Sequence, residues 1–134
     1  MARGAFVSTH GWEAFRSQEL TTLRTALTPT TGGRILACGG GVVETPEAVA
    51  ILEEWREGGG CVVWLDRPID DIVAEFGEGG GRVYPAGMDE EKLRSTFAAR
   101  QPLYRACCSH AFAVPRAAVA ESVAALAAWL LAEL

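Results

Sequence analysis

The sequence predicts an α/β fold in which a parallel sheet is covered by helices. Two short apolar segments, residues 34–38 and 61–65, are separated by a segment with helical signals. Strands that are apolar on both faces are typical of a parallel sheet buried between helices. A strand, a helix and a second strand in this order form a β–α–β unit, whose crossover is right-handed.

The composition is that of one folded domain covering residues 1–134. The chain is 49% hydrophobic and 22% charged, and its formal net charge of −5 argues against a nucleic-acid surface. No uninterrupted apolar run reaches the roughly 18 residues of a membrane span. The first residues contain no long apolar stretch of the secretory type, which favours a cytoplasmic protein with no membrane partner.

The four cysteines predict free thiols rather than disulfides or a metal site. Cys38, Cys61, Cys107 and Cys108 lie inside or beside apolar runs, where we expect them to be buried. His110 follows the last pair closely, but no Cys-x-x-Cys pair is present to supply the usual ligand spacing. We therefore predict no metal ligands.

Two helices are predicted in the first half of the chain. Apolar residues at helical spacing indicate a helix over residues 8–27, capped by Ser8 or Thr9 and stopped at Pro29. A second helix begins at Thr45, where a capping hydroxyl precedes a proline, and ends at the glycines 58–60.

The second half of the chain alternates helices with a glycine-rich loop and one more strand. We predict a short helix over 68–76, a lid-like loop over 77–88, a helix over 90–105 capped by Asp89, and a strand over 111–114. The internal Pro102 should kink the helix over 90–105. A C-terminal helix over 115–134 should cover the sheet through one apolar face: Val119, Val123, Leu126 and Leu130.

Glycines and arginines are the candidate ligand-binding residues. Glycines 39–41 follow the first predicted strand, and ligands of open parallel sheets bind beyond the carboxyl ends of strands. Glycine lets a backbone N–H approach an anion closely, although a plain turn requiring positive φ would also explain the triplet. Arg16, Arg82 and Arg100 carry the planar guanidinium that matches a carboxylate or phosphate. Any single arginine is more often a solvated surface charge, so only convergence of several in space would indicate a site.

Three segments occur in an ordered set: FVSTHGWEAFR at residues 6–16 with Glu19, ILACGGGVVETPE at 35–47, and RQPLY at 100–104. Together they resemble the shikimate kinases, above all the kinase domains of the fungal pentafunctional AROM polypeptides. The resemblance covers about residues 6–112. It implies a nucleoside-monophosphate-kinase-like fold and transfer of a phosphoryl group from ATP, with Mg²⁺, to a hydroxyl of shikimate in aromatic amino acid biosynthesis.

The resemblance also implies roles for individual residues. Arg16 is similar to the helix arginine that binds the shikimate carboxylate, with Glu19 holding it, and Arg100 is similar to the second carboxylate-binding arginine. Gly39, Gly40 and Gly41 are similar to the glycines whose backbone lines the shikimate pocket. Arg82 is the one candidate for the catalytic lid arginine. The proline expected directly after it, at position 83, is instead Pro85, two positions further along.

The nucleotide-binding motif of the family is missing from this sequence. Phosphoryl transfer in P-loop kinases uses Gly-x-x-x-x-Gly-Lys-[Ser/Thr], and the single lysine here, Lys92, lies in a predicted helix. The chain therefore contains no predicted ligands for ATP or Mg²⁺. In the family's strand order, 2-3-1-4-5, the segments 34–38 and 61–65 flank the absent strand. We expect them either to pair directly or to leave exposed apolar edges.

Three hypotheses follow. The chain is the substrate-side, C-terminal part of a shikimate kinase domain, as a fragment or truncated gene model, which predicts a P-loop encoded directly upstream. Alternatively, it is a non-catalytic shikimate- or quinate-binding regulatory module, similar to the kinase-derived repressors of the quinate pathway. The third hypothesis is a remnant without function. Other AROM domains, or a chain that supplies the missing strands, are the expected protein partners.

Overall fold

A computed structural model describes residues 3–28, 34–77 and 79–133. The elements are α1 (Arg3–Ala26), a 3₁₀ turn (Val42–Glu44), α2 (Pro46–Glu57), β1 (Val63–Asp66), α3 (Ile69–Val73), α4 (Glu90–Cys107), β2 (His110–Ala113) and α5 (Val119–Glu133). Helices flank a parallel sheet, which confirms the α/β class and is consistent with a P-loop-kinase-like fold. Within the described ranges no helix is both long and apolar enough to cross a membrane.

The sheet consists of β1 and β2, which pair in parallel. Val63 lies opposite His110, and the register continues to Asp66 opposite Ala113. Ser109 extends the pairing by one residue because both its amide and its hydroxyl donate to the carbonyl of Val62. The strands predicted near 61–65 and 111–114 are thus confirmed, each displaced by one or two residues.

The strand predicted over residues 34–38 is wrong. Residues 34–39 form no regular secondary structure, and the side chain of Ile35 is 89% exposed. An apolar extended segment becomes a strand only when another backbone satisfies its N–H and C=O groups. Because β1 pairs with β2, and the described residues contain no further strand, this segment is left as the exposed apolar edge that the sequence allowed.

The first helix begins earlier than predicted and is broken in the middle. It starts at Arg3, and Gly11 interrupts it with φ 82° and ψ 168°, a conformation that favours glycine. Ser8 and Thr9 were expected to cap a helix start, but their hydroxyls donate to backbone carbonyls four residues earlier. The predicted stop at Pro29 lies outside the described residues.

The helices α2 and α4 begin where their capping signals predicted. Pro46 is the first residue of α2 and Gly58 ends this helix, but the Thr45 hydroxyl, which was expected to cap the helix, makes no capping hydrogen bond. The side chain of Asp89 accepts a hydrogen bond of 2.8 Å from the amide of Lys92 at the start of α4. Pro102 lies inside α4, and the helix nevertheless continues to Cys107.

The predicted apolar face of the last helix is wrong in part. The helix α5 begins at Val119, after Pro115, and Val119 itself is 80% exposed, as Val123 largely is. Its contact with the sheet is made by Trp129, whose ring lies 5.4 Å from that of Phe112 and 5.8 Å from that of His110. An alanine-rich helix with apolar residues on several faces leaves the choice of face to its neighbours.

The buried core lies where α1, the 3₁₀ turn, α2 and α4 meet. Its members are Leu23, Val42, Val43, Ala48, Leu52 and Cys107.

The cysteines are free thiols, as predicted, but only one of the four is buried. Cys107 belongs to the core, Cys108 is partly buried, and Cys38 and Cys61 are exposed. Burial of the last two was expected because both lie in segments predicted as strands inside a sheet. Cys61 precedes β1, and Cys38 lies in the segment 34–39, which forms no strand, so neither side chain lies inside a sheet.

Candidate functional site

Two arginines from distant helices converge on one carboxylate. Arg16 of α1 donates from Nη2 to Oε2 of Glu44 at 2.7 Å. Arg100 of α4 donates from Nε and Nη2 to Oε1 of the same residue, both at 2.8 Å. Glu44 is the last residue of the 3₁₀ turn that follows glycines 39–41, so this turn brings α1 and α4 together at one point.

Arg16 is held from several sides. Its Nη1 donates to Oε2 of Glu19, one turn later in α1, at 2.7 Å. The guanidinium carbon lies 5.4 Å from the ring of Trp12 and 5.6 Å from the ring of Phe15, within the range of cation–π attraction. The side chain is 20% exposed. These contacts fix the guanidinium plane facing the glycine turn.

Glycines at 39–41 are explained by neighbouring side chains that lie close to the backbone there. None of Gly39, Gly40 and Gly41 has a positive φ, so the alternative of a turn that needs one does not apply. A Cβ on Gly41 would lie 2.0 Å from Nη2 of Arg16, and a Cβ on Gly39 would lie 2.9 Å from Oε1 of Glu19. The carbonyl of Gly40 accepts a hydrogen bond from the Tyr104 hydroxyl. The missing side chains make room for charged groups.

Arg16, Arg100, Glu19 and Glu44 form the arginine cluster. Its electrostatics favour an ionised carboxylate at its centre. Partial burial alone would raise the pKa of Glu44, but the hydrogen bonds and charges of Arg100 and Arg16 outweigh it and hold the pKa below its usual 4.5. Burial raises the pKa of the Tyr104 phenol, which therefore remains a hydrogen-bond donor at neutral pH.

Glu44 is the residue of this cluster to which the sequence analysis gave no role. It stands inside the 35–47 motif, three residues after Gly41. A carboxylate between a glycine turn and a helix start is also what a helix dipole favours, so its position alone did not single it out. Its contact with Arg100, 56 residues away in the chain, is visible only in three dimensions.

A cavity of about 410 Å³ lies beside the arginine cluster. It is bounded by α1 and residues 36–39, and most of its lining is apolar. Glu19 and Gly39 belong both to its wall and to the surroundings of the cluster, whereas neither Arg16 nor Arg100 lines it. The cavity thus adjoins the charged site without containing its guanidinium groups.

Arg82, the candidate lid arginine, lies elsewhere. Its side chain is exposed and forms an ion pair of 3.2 Å with Glu75, which also pairs with Arg67. Its guanidinium carbon lies 5.3 Å from the ring of Phe76. The structure therefore brings Arg16, Glu19, Arg100 and the glycines together and does not bring Arg82 to them.

The residues present do not fit a nucleotide phosphate and its magnesium ion. Lys92, the single lysine of the sequence, lies in the first turn of α4, where its amide is part of the cap. Across residues 3–28, 34–77 and 79–133, no group of three His, Cys, Asp or Glu side chains could hold a metal ion. What the arginine cluster can do chemically is hold a carboxylate through several charged N–H donors.

Comparisons with known proteins agree on one family. The family model described as shikimate kinase matches residues 1–131. The pentafunctional AROM polypeptide of Yarrowia lipolytica is 35% identical over 118 residues, which are 88% of this chain and 7% of that protein. The corresponding polypeptides of Schizosaccharomyces japonicus and Malassezia globosa are 34% and 38% identical over 81% and 75% of this chain. The chain spans 6–7% of the length of these relatives.

Proposed function

Since the chain belongs to the shikimate kinase family, we propose that it is the shikimate-binding side of a shikimate kinase domain. The observation that carries this proposal is the convergence of Arg16 and Arg100 on one carboxylate, with all contacts between 2.7 and 2.8 Å. Two guanidinium groups placed for one carboxylate are suited to bind the carboxylate of shikimate.

The surroundings of the arginines support a small hydroxylated acid as the ligand. The carboxylate gives affinity and orientation through the two arginines, because a bidentate contact fixes the direction of the attached ring. Because glycines 39–41 carry no side chains, Arg16 and Glu19 can lie directly against their backbone, beside the proposed position of the ligand carboxylate. Glu19 acts through Arg16, which it holds in place.

Phosphoryl transfer requires parts that these 134 residues do not contain. We propose that a P-loop and its strand come from outside this sequence, as another part of a longer polypeptide or as a separate chain. The relatives are multifunctional polypeptides of which this chain matches a small share, so neighbouring AROM domains are the proposed partners. The proposed setting is the cytoplasm. Arg82 is the proposed lid arginine.

The first test is whether shikimate stabilises the purified chain. A ligand present at 100 times its Kd raises the free energy of unfolding by about 2.7 kcal/mol, which thermal or urea unfolding detects. We expect this stabilisation for the wild-type chain. Arg16→Gln and Arg100→Gln should each weaken binding by tenfold or more, about the effect of losing one charged hydrogen bond.

The matched control is Arg24→Gln, which removes the same charge from an exposed position on the same helix as Arg16. It should leave the shikimate affinity unchanged, and circular dichroism should show equal helix content in all variants. Absence of any stabilisation by millimolar shikimate in a folded wild-type chain would contradict the proposed function.

The second candidate function is a non-catalytic regulatory module that binds shikimate or quinate. It is favoured because the arginine cluster is formed while a phosphate-binding lysine motif is missing from the sequence. Adding ATP and Mg²⁺ to the shikimate titration separates the two. We expect the 134-residue chain to bind shikimate without releasing ADP. Shikimate-dependent ADP release would show that these residues suffice for catalysis. Quinate binding as tight as shikimate binding would favour the regulatory module.

A further inference from the structure

We propose that Glu44 is a displaceable internal carboxylate that occupies the two-arginine site in the absence of ligand and sets the affinity and selectivity of that site. This inference rests on the proposed function of Arg16 and Arg100 in binding a ligand carboxylate. It assigns a role to a residue outside the set that the resemblance implied.

The donor count shows why a ligand and Glu44 compete. Glu44 takes Nη2 of Arg16 and both Nε and Nη2 of Arg100, while Nη1 of Arg16 is directed to Glu19. Glu44 thus occupies the Nε–Nη2 edge of Arg100, one of the two edges of that guanidinium that can form a bidentate contact, together with one N–H of Arg16. A ligand carboxylate that binds both arginines at these groups must take them from Glu44.

The charge balance gives the same result. The cluster contains two guanidinium groups and two carboxylates, so its formal charge cancels while Glu44 is in place. A ligand carboxylate entering beside Glu44 would face a like charge at close range. Once Glu44 turns away, the remaining cluster carries one net positive charge and attracts an anion.

The local structure permits this exchange. The side chain of Glu44 is 41% exposed, whereas those of Arg16 and Arg100 are 20% and 25% exposed. Glu44 ends a three-residue turn, and its backbone N–H is bonded to the carbonyl of Gly41 independently of the side chain. Rotation of the Glu44 side chain toward solvent therefore leaves the turn in place, and Arg16 keeps its contacts with Glu19 and Trp12.

The exchange makes the site selective for ligands that carry a carboxylate. A neutral ligand cannot replace the ion pairs of Glu44 with Arg16 and Arg100, so it makes no contact with these arginines. A carboxylate ligand replaces one ion pair by another and binds with an affinity reduced by the fraction of time for which Glu44 is away. If Glu44 occupies the arginines about nine-tenths of the time, its removal tightens carboxylate binding about tenfold.

The test is the Kd of shikimate for the wild-type chain, Glu44→Gln and Glu47→Gln. Glu44→Gln should bind shikimate about tenfold more tightly. Glu47→Gln removes the same charge from an exposed position at the start of α2 and should change the Kd little. The methyl ester of shikimate, which lacks the charge, should bind equally weakly to the wild-type chain and to Glu44→Gln.

A second measurement uses the wild-type chain and does not depend on how a variant folds. The pKa of Glu44 lies below its usual 4.5 while the arginines hold it. If shikimate displaces Glu44, the pKa of this residue must rise toward its usual value on saturation, as followed by the side-chain carboxyl carbon signal in NMR. A purely structural Glu44 that stays between the arginines would keep its lowered pKa.

The outcomes separate this proposal from the proposed function. Displacement is supported if Glu44→Gln, but not Glu47→Gln, binds shikimate more tightly than the wild-type chain. A rise in the pKa of Glu44 on addition of shikimate also supports it. Wild-type binding with unchanged or weaker binding by Glu44→Gln and no change in the pKa overturns displacement and leaves the proposed function standing. If neither the wild-type chain nor Glu44→Gln binds shikimate, both proposals fail.

Discussion

Gly41 shows how much of the site depends on an absent side chain. A Cβ at this position would lie 2.0 Å from Nη2 and 2.7 Å from the guanidinium carbon of Arg16. Both atoms belong to the end of a flexible side chain, so Gly41→Ala should move Arg16 rather than unfold the turn. We expect shikimate affinity to fall about tenfold or more, as when a charged hydrogen bond is lost, with little change in Tm.

The control for this substitution is Gly4→Ala, because a Cβ there meets nothing within 4 Å. Gly4 lies in α1, where alanine is the better helix former, so the control should bind shikimate normally and unfold at the same or a higher temperature. Equal shikimate affinity of Gly41→Ala and the wild-type chain would show that the position of Arg16 does not matter for the ligand.

The sequence predicted roles for residues that belong to a recognisable motif. The resemblance named Arg16, Glu19, Arg100 and the glycines, and the structure places these residues together, while their ligand roles stay predictions. Glu44 was missed because its importance comes from being within 3 Å of two arginines, one of them 56 positions away. No spacing rule along the chain carries that information.

At the scale of elements, Trp129 connects α5 to the sheet through contacts between aromatic rings. Trp129 contacts His110 and Phe112 of β2, while Val119 and Leu131 are almost fully exposed. We expect Trp129→Ala to lower the free energy of unfolding by about 1–3 kcal/mol, less than for a fully buried tryptophan because the ring is partly exposed. Urea unfolding followed by circular dichroism measures the change.

Leu131→Ala is the matched control on the same helix, because it removes a large apolar side chain that is 89% exposed. Its effect should stay within about 0.5 kcal/mol. A loss as large as that of Trp129→Ala would show that α5 packs through a different face.

Elements with local signals were predicted well, and those that need a partner were not. Thr45 with its following proline and Asp89 mark helix starts by chemistry within a few residues, and α2 and α4 begin there. The segment 34–38 has the apolar character of a strand but forms no regular secondary structure. The face of α5 is likewise chosen by what it packs against, so its periodicity wrongly included the exposed Val119 and Val123.

At the scale of the whole molecule, the exposed edge at residues 34–38 predicts self-association. Ile35 is exposed and residues 35–38 belong to no strand within the described residues, and exposed apolar segments of this kind pair with other chains. We expect sedimentation velocity to show concentration-dependent association of the purified chain. Ile35→Lys should reduce it, because a charge on an edge opposes pairing.

Val83→Lys adds the same charge at an equally exposed residue of the glycine-rich loop and should leave association unchanged. A strictly monomeric wild-type chain at high micromolar concentration would contradict the prediction. Equal effects of the two lysine variants would attribute association to net charge rather than to the edge.

The pairing of β1 with β2 also has a consequence for the order in which the chain folds. Val62 and Ser109, which bond across the two strands, are separated by 47 residues. Closing a loop of that length costs about 3 kcal/mol in chain entropy before any ladder bond forms. The contacts of α2 with the 3₁₀ turn need far shorter loops. We therefore expect the sheet to form late, after the helices between its strands have brought them together.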